Sequence, residues 1–293
     1  MNLTASKNWV DTHFHVFHAG EAVAGARYVP QYTAALSDWQ SLAQSAGVTR
    51  GVWVQPSFLG VDNQLMLRAL KDHPEMLRGV AVVAADTQAD ALKALHAEGV
   101  RGIRLNLSGV SHDIPEWTRA EPVWRALHEL GWHLEVHTDQ GALTHALAQL
   151  PTDVPLVVDH MAKPNEAKAT DTSIALLTQR AQHAPTYVKL SGAYRLGGVD
   201  ATRLAQLWLQ ELGPQALLWG SDWPCTNHEQ FADFGQLMAQ AHEWMGAEHL
   251  EQICRLQIRH LHLSVMGLGV GCFCLAQRHA VGRAVPGFLQ VLA

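Results

Sequence analysis

Short apolar, β-branched runs alternate along this chain with longer stretches of helical periodicity. Strand-type runs fall at 9–15, 50–58, 77–85, 100–107, 133–139, 155–161, 186–194 and 217–224. The stretches between them are amphipathic. "SDWQSLAQSAG" starts on Ser37, a good N-cap, and stops at Gly47. "DNQLMLRALKDHP" stops at Pro74 and "QADALKALHAEG" at Gly99. "EPVWRALHELG" has Pro122 near its start and Gly131 at its end, the usual asymmetry of a helix. "DATRLAQLWLQELG" lines up Leu204, Leu207, Trp208 and Leu212 on one stripe. Eight strand–helix repeats over about 245 residues predict an α/β fold, a single parallel (β/α)8 TIM barrel. A doubly wound sheet would carry a glycine-rich phosphate turn after its first strand. Here that strand runs into "HVFHAGEAV", which has none.

In such a barrel the chemistry sits at the C-terminal ends of the strands. Those ends offer His13 and His15, Gln55, Asp86, Arg104 and Asn106, His137 and Asp139, Asp159 and His160, Ser191 and Tyr194, and Asp222. Period two predicts Asp11, His13 and His15 on one face of the first strand, with Val10, Thr12, Phe14 and Val16 on the other. A His-x-His pair alone says little. With 18 histidines in the chain, about one such pair arises by chance, and His260–His262 repeats the spacing where no barrel strand is predicted. Company is what raises the first pair. Strands one and eight adjoin in a closed barrel, which brings Asp222 to His13 and His15, while His137 and His160 face them from strands five and six. Buried groups of this kind need a shared partner, a divalent metal or a dense hydrogen-bond network.

Composition narrows the classes. The chain has 293 residues, 48% hydrophobic and 16% charged, which is enough for one large core or two modest ones and argues against disorder. A net charge of −6 shows no bias toward nucleic acid. No secretory signal and no membrane span are expected. Cys225, Cys254, Cys272 and Cys274 form no zinc or disulfide framework, so a cytoplasmic setting is expected. Trp39, Trp124, Trp208 and Trp244 are expected in the core, and Trp223 either there or on the pocket wall.

"DTHFH", the "VH" of strand five, "VVDHMAKP", "VKLSGAYR" and "LWGSDWP" together resemble the amidohydrolase superfamily. Within it they resemble the amidohydrolase-related group that includes 2-pyrone-4,6-dicarboxylate lactonase and other lactone hydrolases. The resemblance runs from about residue 8 to about 250, and its strand-six to strand-eight blocks are the specific ones. It implies that His13, His15, His137 and Asp222 hold one divalent metal, zinc for preference, and that His160 holds the attacking water or polarises the carbonyl. The pyrone-dicarboxylate lactonases work without a metal and carry tyrosine near position 137, so His137 is a departure that restores a full ligand set. A two-metal site is disfavoured, because "VRGIRLNL" has no lysine or acid to bridge metals.

The expected activity is that of a hydrolase opening a lactone of a carboxylated small molecule, with Asp222 as base. Without metal, His13, His15 and His160 would donate to the carbonyl oxygen instead. Arg104, Lys163, Arg195 and Tyr194 are the candidate substrate-binding residues, cations there being what the lactonase resemblance implies. Lys163 replaces an arginine expected of a dicarboxylate lactonase. The alternatives are a decarboxylase of the same superfamily and a catalytically silent anion-binding barrel.

The barrel is expected over residues 8–254, and residues 255–293 as an atypical tail rich in Gly and Val. One codon path for Gln257–His260 encodes Asn-Pro-Ala in another frame, the segment with which relatives usually close. A frameshift origin for the tail is therefore expected.

Overall fold

A computed structural model describes residues 8–260 of the chain. Residues 261–293, which make up most of the expected tail, lie outside the described residues. The elements follow the predicted alternation. β1 (Trp9–Phe14), α1 (Leu36–Ser45), β2 (Val48–Val54), α2 (Gln64–Asp72), β3 (Leu77–Ala81) and α3 (Ala89–Ala97) come first. β4 (Val100–Asn106), α4 (Glu121–Leu130), β5 (His133–His137) and α5 (Leu143–Leu147) follow. β6 (Leu156–Val158), α6 (Thr172–Arg180), β7 (Thr186–Leu190), α7 (Ala201–Leu212), β8 (Leu217–Trp219) and α8 (Phe234–His260) complete the series. All strands are parallel and pair in chain order, which makes a nearly closed (β/α)8 barrel.

Several strands end earlier than predicted. β6 and β8 are three residues long, and "DHM" and "GSDWP" leave the sheet as turns. The reason is chemical: these segments carry the site, and their backbones bend to aim side chains across the mouth. The start of α1 also differs. Phe17 and Ala34 form an antiparallel bridge, which keeps the chain extended up to Ala35. Ala35 therefore takes the cap position, and Ser37 lies inside the helix.

The seam between β1 and β8 closes by backbone contacts. Asp222 N donates to His13 O at 2.8 Å, and His15 N to Trp223 O at 2.8 Å. Gly220 permits this approach, since a Cβ there would stand 2.6 Å from His13 Cβ. The core lies between the barrel and its helices. Trp39 stacks on Phe14 with ring centroids 3.9 Å apart, and Trp208 is fully buried on α7. Full burial of each large apolar side chain contributes about 1.5–3 kcal/mol. Trp124 and Trp244 are buried too, and Trp223 joins the core rather than the cavity lining. Among the described residues no helix is long and apolar enough to cross a membrane.

Candidate active site

The first strand does not keep strict alternation. Its register against β2 slips between Asp11 and Phe14. Val10 consequently joins Val52, Val54 and Val80 in a small apolar cluster, while Asp11 turns to the helix layer. Asp11 accepts hydrogen bonds from Trp39 Nε1 (2.9 Å), Ser221 Oγ (2.6 Å), Ser221 N (2.9 Å) and His13 N (3.1 Å). This corrects the expectation that Asp11 shares a face with the two histidines. It instead braces the β1–β8 seam on which they stand, and a bulge is the device that re-aims the residues after it.

Past the bulge His13 and His15 converge with Asp222. Their Nε2 atoms are 3.1 Å apart and lie 3.5 and 3.4 Å from Asp222 Oδ1. One ligand atom from each of the three residues falls within 4.8 Å of the others. His15 Nδ1 donates to Val54 O at 2.7 Å, which leaves its Nε2 bare. One proton placement gives a continuous relay: Lys189 Nζ to His13 Nδ1 (3.1 Å), His13 Nε2 to His15 Nε2, His15 Nδ1 to Val54 O. Moving the His13 proton to Nδ1, where Asp159 Oδ1 stands 3.2 Å away, bares both Nε2 atoms. Two imidazole nitrogens and a carboxylate oxygen then face one another as electron-pair donors. Asp222 Oδ1 is buried and has no hydrogen-bond partner among the described residues, so this donor set suits a divalent metal.

Asp222 itself is clamped. Its Oδ2 accepts from the Tyr194 hydroxyl at 2.6 Å and from Arg195 Nε at 2.8 Å. Burial alone would raise its pKa, but Arg195, then His160, His15 and His13, hold the carboxyl well below the usual carboxylate range. Burial lowers His13 to about 3, with Lys189 adding to the effect and Asp159 opposing it. His137 and His160 are also pushed well below the ordinary imidazole value, chiefly by burial. The site therefore holds an ionised carboxylate near the neutral imidazoles of His13, His137 and His160.

His160 reaches the site from an unusual backbone. His160, Met161, Ala162 and Lys163 all have positive φ, between 42° and 65°. Left-handed backbone costs a non-glycine residue about 1–2 kcal/mol, so the surroundings must hold this turn. Trp208 Nε1 donates to Met161 O at 3.1 Å, and Gly141 N to Lys163 O at 2.9 Å. Ser191 Oγ lies 3.0 Å from His160 Nδ1 and orients the ring. His137 stands edge-on to His160, centroids 4.6 Å apart, outside the His13–His15–Asp222 group, and its Nε2 has no hydrogen-bond partner among the described residues.

Beneath these groups lies a buried charge cluster. Arg104 donates through Nε and Nη2 to Asp159 Oδ2, at 3.0 and 2.9 Å, and its Nε is 3.4 Å from Glu135. Lys189 donates to Glu135 and lies 3.4 Å from Asp159. Burial, with repulsion from Asp159, raises Glu135 to about 7 against the pull of Lys189 and Arg104. Burial would raise Asp159 as well, yet Lys189, His13 and Arg104 hold it far down. Glu135 and Lys189 were not among the sequence candidates. The signal was there: a lysine and a glutamate inside otherwise apolar parallel strands, which are buried on both faces and so require partners.

His15, His137, His160 and Asp222 line a cavity of about 490 Å³ at the barrel mouth, together with Arg104 and Arg195. Lys163 and Tyr194 do not line it. Lys163 is buried, and burial lowers its pKa, opposed by nearby Asp139. Of the remaining strand-end candidates, Gln55 bonds Asp62 O at 2.7 Å and Asn106 bonds Ser57 at 3.1 Å. Asp139 secures the loop after β4 through Ser108 and Gly109, and Asp86 is exposed.

Known proteins are similar to this chain in sequence and fold. The chain is 30% identical to the 2-pyrone-4,6-dicarboxylate hydrolase of Comamonas testosteroni over 239 residues, 74% of this chain and 77% of that one. It is 29% identical to the 4-sulfomuconolactone hydrolase of Rhizobium radiobacter over 245 residues, 78% and 80% of the two chains. A crystal structure from Pseudomonas putida, assigned as a 2-pyrone-4,6-dicarboxylic acid hydrolase, superposes with a TM-score of 0.75 at 31% identity. It covers 88% of this chain and 99% of that one. The amidohydrolase family profile matches residues 10–256, so the chain belongs to the amidohydrolase family and is a hydrolase of that superfamily.

Proposed function

We propose that this enzyme opens the ring of a lactone carrying a carboxylate, with Asp222 as the base. The observation that supports this most is Asp222 Oδ1: ionised, buried, without a hydrogen-bond partner among the described residues, and within 3.5 Å of both His13 and His15. Tyr194 and Arg195 occupy Oδ2, so only Oδ1 is available to a water in the cavity. Relatives described as hydrolases of pyrone dicarboxylate, sulfomuconolactone and fuconolactone support ring-ester chemistry.

Asp222 takes a proton from the water as its oxygen bonds to the lactone carbonyl carbon. The ring C–O bond then breaks, and the proton passes to the leaving oxygen, so that lactone and water become a hydroxy acid. His160, neutral and oriented by Ser191, is placed to hold the water or the carbonyl oxygen. His13, His15 and Asp222 would hold a divalent metal, which supplies Lewis acidity to the carbonyl or the water when bound. Without one, a His13 Nε2–H or a His160 N–H is the available donor to the developing oxyanion.

The test is product analysis with 2-pyrone-4,6-dicarboxylate and simpler carboxylated lactones. Ring opening with uptake of one oxygen from 18O-labelled water supports the reading. Release of CO2 would replace it with decarboxylation, and binding without turnover, with or without added zinc, would leave an anion-binding barrel.

A further inference from the structure

The cations around the cavity are not equally free. Arg104 is consumed by Asp159 and Glu135. Arg195 donates to Asp222 through Nε and to Thr226 O through Nη2 at 3.0 Å. Lys163 is buried behind the wall, with Asp139 nearby. Arg27, on the loop after β1, lines the same cavity, is exposed, and makes no hydrogen bond or ion pair with any described residue.

Its position is built rather than loose. The loop is tied down on both sides of Arg27, by Val23 N to Phe58 O at 2.8 Å and by the Tyr28 hydroxyl to Glu229 at 2.9 Å. The Tyr32 hydroxyl reaches the same glutamate at 3.2 Å. Across the rim the guanidinium lies against Gly109, in the loop after β4. A Cβ at Gly109 would stand 3.0 Å from Arg27 Nη1, and the left-handed φ of +73° excludes most side chains there as well. The glycine is thus what lets an arginine approach this edge of the mouth. Asp139 accepts from Gly109 N at 2.9 and 3.0 Å and fixes that loop in place.

We infer that Arg27 is the anchor for the substrate's anionic substituent. It binds a ring carboxylate at the rim between the loops after β1 and β4, and so makes the enzyme prefer anionic over neutral lactones. The inference rests on the lactonase reading for the identity of the substrate, but not for the anion site itself. A guanidinium without an internal partner keeps its bidentate donors for a carboxylate. Arg104 and Arg195 each already commit two nitrogens, Nε and Nη2, to partners within the protein.

The experiment measures calorimetric binding of benzene-1,3-dicarboxylate, a planar dianion that cannot be hydrolysed, to the wild type, Arg27→Gln and Arg27→Lys. Lactone turnover is followed in parallel. We expect Kd to rise at least tenfold in Arg27→Gln and to recover partly in Arg27→Lys. The ratio of kcat/KM for carboxylated over neutral lactones should fall by a similar factor. Equal binding by wild type and Arg27→Gln would overturn the inference, and so would absence of binding by the wild type. Arg27-dependent binding in an enzyme that opens no lactone would leave the anchor standing and remove the lactonase reading, so the two failures are distinguishable.

Discussion

Tyr194 holds Asp222: its hydroxyl donates to Oδ2 at 2.6 Å, in the same clamp as Arg195 Nε. The carboxylate thus has one tethered oxygen and one free oxygen. Asp222→Asn should keep the fold and lower kcat by about 10²–10⁴-fold, the usual contribution of a general base. Circular dichroism and steady-state kinetics on one preparation check this. Substantial surviving activity would remove Asp222 as the base. Tyr194→Phe should lower kcat more than it raises KM, because it removes a constraint on the base and no contact lining the cavity.

Metal content separates the ligands. Protein purified without chelator should carry a single divalent ion, zinc for preference, and lose it in His15→Ala. His137→Ala should retain it, because His137 stands outside the three-residue group. Elemental analysis of the three proteins is the measurement. Retention by His15→Ala with loss in His137→Ala would place the metal elsewhere. Full turnover by metal-free wild type would assign the chemistry to the hydrogen-bond route alone.

The buried cluster predicts a large stability effect. Lys189 and Arg104 balance Glu135 and Asp159, all four almost wholly buried. Lys189→Met leaves the two acids with one cation and should cost about 3–5 kcal/mol, as for other buried pairs broken from one side. The double variant Lys189→Met, Glu135→Leu should recover part of that loss. Urea denaturation of the wild type and both variants measures it, and a single variant as stable as wild type would show that the cluster carries no such balance.

Glu229 gives a pH dependence away from the chemistry. Its burial would raise the pKa, but its own amide, the Tyr28 hydroxyl, Asn227 N and the Tyr32 hydroxyl lower it below the ordinary value. A depressed folded pKa stabilises the Tyr28–Glu229–Tyr32 latch on the loop after β1 above the unfolded value, about 4.3. That stabilisation is lost as pH falls through the folded value. Hydrogen exchange over residues 20–33 should therefore be faster in Glu229→Gln at pH 7, and the difference from wild type should shrink under strongly acidic conditions. A difference that is constant with pH would dissociate the latch from this carboxylate.

Much of the molecule was legible in one dimension. Strand and helix periods are local, so the alternation predicted the eight strands and their order. Once the barrel was assumed, strand ends nominated His13, His15, His137, His160 and Asp222 as neighbours. Pairing and register are not local. The slip that turns Asp11 away from the histidines depends on how β1 meets β2, and the bridge from Phe17 to Ala34 moves the start of α1 past the best capping residue.

The sequence by itself determined the barrel, the order of its strands and the chemical types gathered at its mouth, because periodicity and composition need only neighbouring residues to be read. Only the tertiary structure decided which charges are already neutralised and which remain free. Arg104 and Arg27 are the same side chain in the sequence. One is paired with acids 31 and 55 residues away in the chain (Glu135 and Asp159), and the other lines the cavity with no partner among the described residues. Electrostatic partnership acts through space, and the spacing of letters along the chain does not record it.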